Sequence, residues 1–252
     1  MYQLWFNFWR RPEGHKPKKE KNIMDNGKIL FETADVVCVA TGFKSQSANS
    51  KTGGMIQTWF LWKHSNPIDA IKSGDDAAIC FDCPHRGDGT GKDRACYVNI
   101  GQAPLAVWKC WQRGGYSLWN GDTSIFKGRV VRFGSYGEPV LMPRRMMERI
   151  ASAAMGWTGY THQWRKFTTR KRWLMASVDN ETQAQRATGK GWRTFRVATA
   201  QAPLANEVQC PASEESGKKT TCAACLLCSG TTKQARSVAI MAHGTGKNNF
   251  SK

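Results

Sequence analysis

The sequence has few acidic residues and no long hydrophobic run. Its 252 residues contain 19 Asp and Glu against 37 Lys and Arg, for a formal charge of +18. Nothing approaches the ~18 consecutive apolar residues that span a bilayer, so we expect no transmembrane segment. At the amino terminus the positive charge follows the apolar residues, the reverse of a secretory signal, and no G-x-x-x-x-G-K-[ST] phosphate loop occurs. These absences argue against membrane, secreted and P-loop proteins and favour a cytoplasmic one.

Aromatic and cysteine residues are, by contrast, plentiful. Aromatic side chains make up 11% of the chain, which is enough for a hydrophobic core. We expect a basic flexible arm over 1–27, a single α/β domain over 28–246 and a disordered tail over 247–252. Nine cysteines, an odd number, fall mostly into two tight sets, which indicates metal binding in a reducing compartment rather than disulfides.

Runs of β-branched and aromatic residues alternate with helical segments bounded by Pro and Gly. The clearest unit is strand 173–178, helix 180–188 with Asp179 as its N-cap, and strand 193–198. Two strands joined by a crossover helix lie parallel, so the pattern predicts an α/β fold with a mainly parallel sheet, a partial or full TIM-like barrel. The other predicted strands are 36–43, 55–62, 130–135, 158–164 and 237–242, and the other predicted helices are 67–74, 104–113 and 143–155.

Four cysteines near the carboxyl terminus are spaced C-x11-C-x2-C-x2-C. Two residues between thiolates let one turn present both sulfurs to one metal, and a distant fourth completes the ligand shell. Either zinc or a [4Fe–4S] cluster accepts four thiolates, and the C-x2-C-x2-C core with a remote Cys-Pro favours iron–sulfur. The predicted ligands are Cys210, Cys222, Cys225 and Cys228.

A second set, Cys80, Cys83 and Cys96, supplies only three thiolates. Without a fourth ligand it would leave one iron of a cluster free, as an open catalytic zinc leaves a position for water. With His85 as the fourth ligand it would instead be a closed structural site. His162 is a further candidate base or ligand, or else a buried histidine with satisfied hydrogen bonds.

Basic and aromatic residues are interleaved over 144–173. Cations neutralise phosphates and aromatic faces stack on bases, so this region is a candidate interface for single-stranded nucleic acid. The alternative is a solvated face whose aromatic rings point inward. The predicted contacts are Arg144, Arg145, Arg149, Arg165, Lys166, Arg170, Lys171 and Arg172.

Six segments of the chain form a characteristic set: NSKTGGMIQTW, ICFDCPHRG, ACYVN, GYTHQW, the MASVDN-to-RTFRV unit and CPAS…TTCAACLLC. Together they resemble a family of uncharacterised cysteine-cluster proteins encoded by bacteriophages and plasmids. The resemblance extends from about Lys28 to His243.

The order of motifs is also distantly similar to the radical S-adenosylmethionine superfamily. Its enzymes have a partial or full parallel barrel, a three-cysteine loop after the first strand, and a Gly-Glu-Pro-type motif after the second that contacts the cofactor. Here the cysteine loop follows strand 55–62, with the spacing C-x2-C-x12-C instead of the usual C-x3-C-x2-C, and Gly137, Glu138 and Pro139 follow strand 130–135. The resemblance implies S-adenosylmethionine binding there and an auxiliary cluster on the carboxyl-terminal set.

Two functional hypotheses follow from these observations. The first is an iron–sulfur protein of a phage or plasmid, similar to radical S-adenosylmethionine enzymes and acting on or near nucleic acid. The second is a non-enzymatic zinc protein that binds DNA or RNA, with both cysteine sets closed and structural. A protein-binding role against a host defence complex is a third.

Overall fold

The computed structural model describes residues 26–45, 49–199, 203–244 and 246–250. Most of the predicted arm, residues 1–25, lies outside them. Within the described residues ten strands form one sheet. They are β1 (Gly27–Glu32), β2 (Val36–Thr41), β3 (Ile56–Trp62), β4 (Ser117–Leu118), β5 (Val130–Tyr136), β6 (Gly156–Thr161), β7 (Met175–Val178), β8 (Thr194–Ala198), β9 (Glu207–Gln209) and β10 (Ser237–Met241).

The strand order is β4-β1-β2-β3-β5-β6-β7-β8-β10-β9. Only the pairs β1–β2 and β2–β3 are antiparallel; every other neighbouring pair is parallel. The predicted mainly parallel α/β sheet is therefore confirmed. In the described part of the chain the sheet is open, with β4 and β9 at its edges, so it is not a complete TIM-like barrel.

Six helices flank the strands in the described residues: α1 (Pro67–Ser73), α2 (Ala77–Cys80), α3 (Ala103–Gln112), α4 (Arg144–Ala153), α5 (Glu181–Gly189) and α6 (Cys222–Cys225). Helix α1 begins as predicted, because the Asn66 side chain accepts the backbone N–H groups of Ile68 and Asp69. None of these helices has the length and apolar character needed to cross a bilayer.

Helix α5 corrects the predicted cap. Asn180, rather than Asp179, is the N-cap residue, and its side chain accepts from the Gln183 N–H. The carboxylate of Asp179 is directed to His85 instead. The strand predicted over 158–164 also ends early, at Thr161, because the Thr161 hydroxyl accepts from the Gln163 N–H and starts a short 3-10 helix.

The core is a large apolar cluster between the strands and the helices that flank them, and it includes Phe60, Phe133, Met147 and Trp164. The tail predicted over 247–252 is described as far as Phe250. Lys247–Asn249 form a short 3-10 helix, and the Phe250 ring stacks on His85 with centroids 5.2 Å apart. This packing places the end of the described chain against the loop that carries Cys96, because the Asn249 side chain also donates to the Arg94 carbonyl.

Candidate metal centres and a shared cavity

The amino-terminal cysteine set lies at the carboxyl edge of the parallel strands. Cys80 is the last residue of α2. A turn follows in which the Cys83 N–H donates to the Cys80 carbonyl, so that Cys83 lies near Cys80. The Cys96 N–H donates to the His85 carbonyl, which fixes the third. All three thiols are free and line one cavity. The structure therefore brings together the three cysteines predicted as one set.

Burial and mutual repulsion act on these thiols. Burial, followed by the neighbouring Cys83 and Cys96, raises the pKa of Cys80 well above its ordinary value. Burial likewise raises the pKa of Cys96. Thiolates crowded in a low-dielectric site need a neighbouring cation, and a bound metal is the usual one.

Glu138 stands beside this set because β5 ends in a tight turn. Gly137 has φ +75°, and a Cβ there would lie 2.8 Å from the Phe60 Cβ, so only glycine fits. The turn continues as the Glu138 N–H donates to the Ile79 carbonyl. The buried Glu138 carboxylate then accepts from the Thr161 hydroxyl at 2.6 Å and from the His162 N–H at 2.9 Å.

His162 connects Glu138 to the cysteines. Its Nδ1 is 3.5 Å from the Cys83 sulfur and 3.5 Å from a Glu138 oxygen. Burial lowers the pKa of His162, but Cys83 and Glu138 outweigh burial and raise this pKa well above its usual value. With a proton on Nδ1, the ring donates toward the sulfur and the carboxylate.

His85 does not complete the three-cysteine set through its Nε2 atom, which is 2.8 Å from Asp179. Burial raises the pKa of Asp179, but the hydrogen bond from His85 outweighs it and lowers the pKa. His85, His162 and Asp179 are a group whose ligand atoms all lie within 4.8 Å of one another, so these three residues could hold a metal ion. Sequence reasoning missed Asp179 because its position just before a helix suggests a cap.

The carboxyl-terminal set is held by backbone contacts with the segment before β3 and with β6 and β10. The Cys222 N–H donates to the Lys51 carbonyl shortly before β3, and Leu226 packs on Gly156, the first residue of β6. Cys222 and Cys225 are the two ends of α6, and the Cys228 carbonyl accepts from the Gly159 N–H. The backbone of Cys210 is tied to β10 through Ala239. All four predicted ligands face the same cavity.

Burial raises the pKa of Cys210, Cys222 and Cys228, and the other thiols of the set contribute to each rise. The ligand atoms of His85, His162 and Asp179 all lie within 4.8 Å of one another, and no three cysteine sulfurs in the described residues are that close together. Four thiolates at about 2.3 Å from one zinc ion stand only about 3.8 Å apart. In a cubane each thiolate binds a different iron, so the sulfurs are more widely separated.

The cavity between the two sets has a volume of about 440 Å³. This is the size of a small-molecule site. Gly137 and Glu138 line it at the carboxyl edge together with Cys80 and Cys83, whereas the third residue of the motif, Pro139, is buried at the start of a short 3-10 helix. Side chains of β5, β6, β7, β8 and β10 form its walls.

Only part of the basic region 144–173 is exposed to solvent. Arg144, Arg145, Arg149, Arg165, Lys166 and Arg172 are exposed and Lys171 is half-buried. Arg170 is buried and donates to the Val140 and Met142 carbonyls, so its role is structural. Trp164 and Trp173 are also buried, and Arg165 covers the Trp164 ring at 4.2 Å. These two rings point inward and are not offered to bases.

No protein-family model, curated protein or solved structure matches this chain.

Proposed function

We propose that this chain is an iron–sulfur protein of the radical S-adenosylmethionine type. The observation that carries the proposal is the meeting of a three-cysteine loop after β3 and a buried glutamate after β5 over one cavity. The open cluster would be held by Cys80, Cys83 and Cys96, and the second cluster by Cys210, Cys222, Cys225 and Cys228.

The strand arrangement supports this proposal. In the sheet, β3, β5, β6, β7, β8 and β10 are neighbours in chain order and all parallel. We propose that these six strands form a partial barrel of the kind found in the superfamily, with its active edge at the carboxyl ends. Functional groups of parallel α/β proteins gather at that edge, and Cys80, Glu138 and His162 all follow their strands there.

The donor set fits an iron–sulfur cluster better than one zinc ion. No three sulfurs of either set in the described residues all lie within 4.8 Å of one another, whereas one tetrahedral zinc ion holds its thiolates about 3.8 Å apart, and His85 Nε2 is engaged with Asp179. A set of three thiolates leaves one iron without a protein ligand, which gives a cofactor a place to bind.

When bound, such a cluster would pass one electron from an external reductant to S-adenosylmethionine and so begin radical chemistry. The chain's own residues prepare the site. Glu138 accepts from Thr161 and His162 and presents a fixed negative charge beside the cysteines. His162 donates toward the Cys83 sulfur, and hydrogen bonds to sulfur raise the reduction potential of a cluster.

The test is cleavage of S-adenosylmethionine by the anaerobically reconstituted protein with dithionite. We expect 5′-deoxyadenosine and methionine from the wild type and neither product from Cys96→Ala, whereas Cys110→Ala should retain activity. Reconstituted wild type that contains iron but gives no product would contradict this function.

Nucleic acid is the proposed partner, because the net charge is +18 and six of the eight predicted cations are exposed. With Trp164 and Trp173 buried, the proposed contact is to phosphates rather than to bases. An origin in a phage or plasmid stays a prediction from the resemblance.

A further inference from the structure

The wall of the cavity contains a buried arginine whose surroundings differ from those of the other buried arginines that the structure describes. Arg196 is paired with Glu207, and Arg170 and Arg193 donate to main-chain carbonyls. Arg132 on β5 is 7% exposed and donates from Nη2 to the Tyr97 hydroxyl instead of to a carboxylate or to main-chain carbonyls. Its Nε, like Arg193 Nε and Arg170 Nη1, has no hydrogen-bond partner in the described structure.

Arg132 is charged, because a guanidinium does not lose its proton in a protein. The groups that act most strongly on its charge are Tyr97, Tyr160 and Cys222, none of which is a carboxylate. Burying a cation without an anion is costly, so such a charge is normally paired. An anion supplied from outside the chain would provide the pairing.

Other polar groups in the same cavity also lack partners. Ser135 Oγ, Tyr136 Oη, Thr158 Oγ1 and His162 Nε2 are buried without a hydrogen bond to the described residues, and all line this cavity together with Arg132. Each can donate a hydrogen bond, and buried polar atoms are normally satisfied. Such a concentration of donors among the residues of one cavity indicates a ligand rich in acceptors.

The register of the sheet aligns two of these donors. Arg132 and Thr158 are direct partners on the parallel strands β5 and β6, and both side chains face the cavity. Next to them the rings of Tyr160 and Phe195 lie with centroids 4.3 Å apart, and the guanidinium is 5.9 Å from the Tyr160 ring. One wall therefore combines a cation, a hydroxyl and an apolar surface.

We propose that the cavity binds a small substrate carrying an oxyanion, a carboxylate or a phosphate, which Arg132 and Thr158 hold while the rest of the molecule packs on Tyr160 and Phe195. This assignment deepens the proposed function by naming its substrate class. The anion contact itself needs no cluster, and its failure can be distinguished from failure of the iron–sulfur proposal.

The experiment measures binding of inorganic phosphate and of acetate to the full chain by calorimetry, at constant ionic strength in chloride buffer. We expect binding of at least one probe, and the stronger of the two identifies the substrate group. Arg132→Gln should weaken it by at least about tenfold, as expected for a lost charge-assisted contact. Thr158→Val should weaken it less, and Arg186→Gln, a change in an exposed cation of α5 that does not line the cavity, should leave it unchanged.

Arg132→Gln should fold, since removing a buried unpaired charge is neutral or stabilising. Iron content is measured on the same samples. Unchanged phosphate and acetate affinity in Arg132→Gln, with iron lost from the carboxyl-terminal set, would overturn the proposal and make Arg132 the partner of the Cys222 thiolate. Absence of binding by either probe to the wild type would overturn it as well.

Discussion

The two cysteine sets use the same ligand around one cavity, but their surroundings differ. At the carboxyl edge, three cysteines share their environment with Glu138 and with His162, whose Nδ1 is 3.5 Å from a sulfur. In the second set, four cysteines are tied to backbone groups before β3, within β6 and within β10, and the charged groups that act on them include the cations Lys51, Arg132 and Arg193. The two sets therefore differ both in the number of thiolates and in the charged groups beside them.

This difference suits the first set to chemistry and the second to stabilising the fold. A centre with four protein ligands is complete and has no place for a substrate, whereas a centre with three has an open coordination position. The buried carboxylate of Glu138 and the His162 ring lie beside the set with that position, whereas the charged neighbours of the other set include the cations Lys51, Arg132 and Arg193. We infer that the first set performs chemistry and that the second supports the scaffold or transfers electrons.

The largest expected effect comes from deleting one ligand of each set. Cys83→Ala and Cys225→Ala should each lose about four iron atoms per chain, measured by elemental analysis after anaerobic reconstitution. Only the chain with an intact first set should change its electron paramagnetic resonance spectrum when S-adenosylmethionine is added. Cys110→Ala, which alters a cysteine of α3 outside both sets, is the control. Equal responses of both variants to S-adenosylmethionine would remove the distinction between the sets.

A backbone change should have the next largest effect. Gly137→Ala introduces a Cβ 2.8 Å from Phe60 at φ +75° and should lower the unfolding free energy by about 2–4 kcal/mol. Gly128 has φ +69° and no atom within 4 Å of the added Cβ, so Gly128→Ala should cost only about 1 kcal/mol. Urea denaturation measures both. Equal losses would show that the contact with Phe60 does not constrain the turn before Glu138.

The carboxylate of Glu138 offers a smaller test of the first set. Glu138→Gln removes a charged acceptor for Thr161 and His162, and we expect about 1.5–3 kcal/mol of lost stability together with weaker S-adenosylmethionine binding. Glu181→Gln, at an exposed position of α5, should change stability by less than about 0.5 kcal/mol. Urea denaturation and S-adenosylmethionine titration check the two effects, and a Glu138→Gln chain that matches wild type in both would contradict the role given to this residue.

The smallest effect concerns the basic surface. Arg165→Ala should weaken single-stranded DNA binding and reduce the slope of log affinity against log salt by about one. Arg170→Ala should leave that slope unchanged and lower stability instead, because its guanidinium holds two buried carbonyls. Fluorescence anisotropy at several salt concentrations separates the two. A slope that changes with Arg170 and not with Arg165 would reverse this assignment.

The parallel sheet could be predicted from the sequence because the hydrophobic patterns of strands and helices repeat every two to four residues and are visible within short segments. The unit around β7, α5 and β8 has its boundaries within two residues of the prediction, and helix α1 shows its caps in Asn66, Pro67 and Gly74. The cysteine spacings likewise identified the seven residues that share the cavity. Such local signals survive folding because they depend on a few neighbouring residues.

Contacts between distant segments could not be predicted in this way. The pairing of His85 with Asp179 joins residues 94 positions apart. Arg170 resembles the exposed cations around it in the sequence, and only the fold shows that it contacts the Val140 and Met142 carbonyls. One signal for Arg132 was present in the sequence. A cation between Val131 and Phe133 in a buried parallel strand must point to a polar interior space, since alternate residues face opposite sides.

The central claim is that seven cysteines hold two iron–sulfur clusters, and metal analysis of the anaerobically purified chain tests it most directly. Iron, zinc and acid-labile sulfide are counted per chain and combined with X-ray absorption at the iron edge. The account predicts about eight iron and about eight sulfide, with iron–iron scattering. A colourless protein with one or two zinc ions per chain, no iron and no sulfide would contradict it.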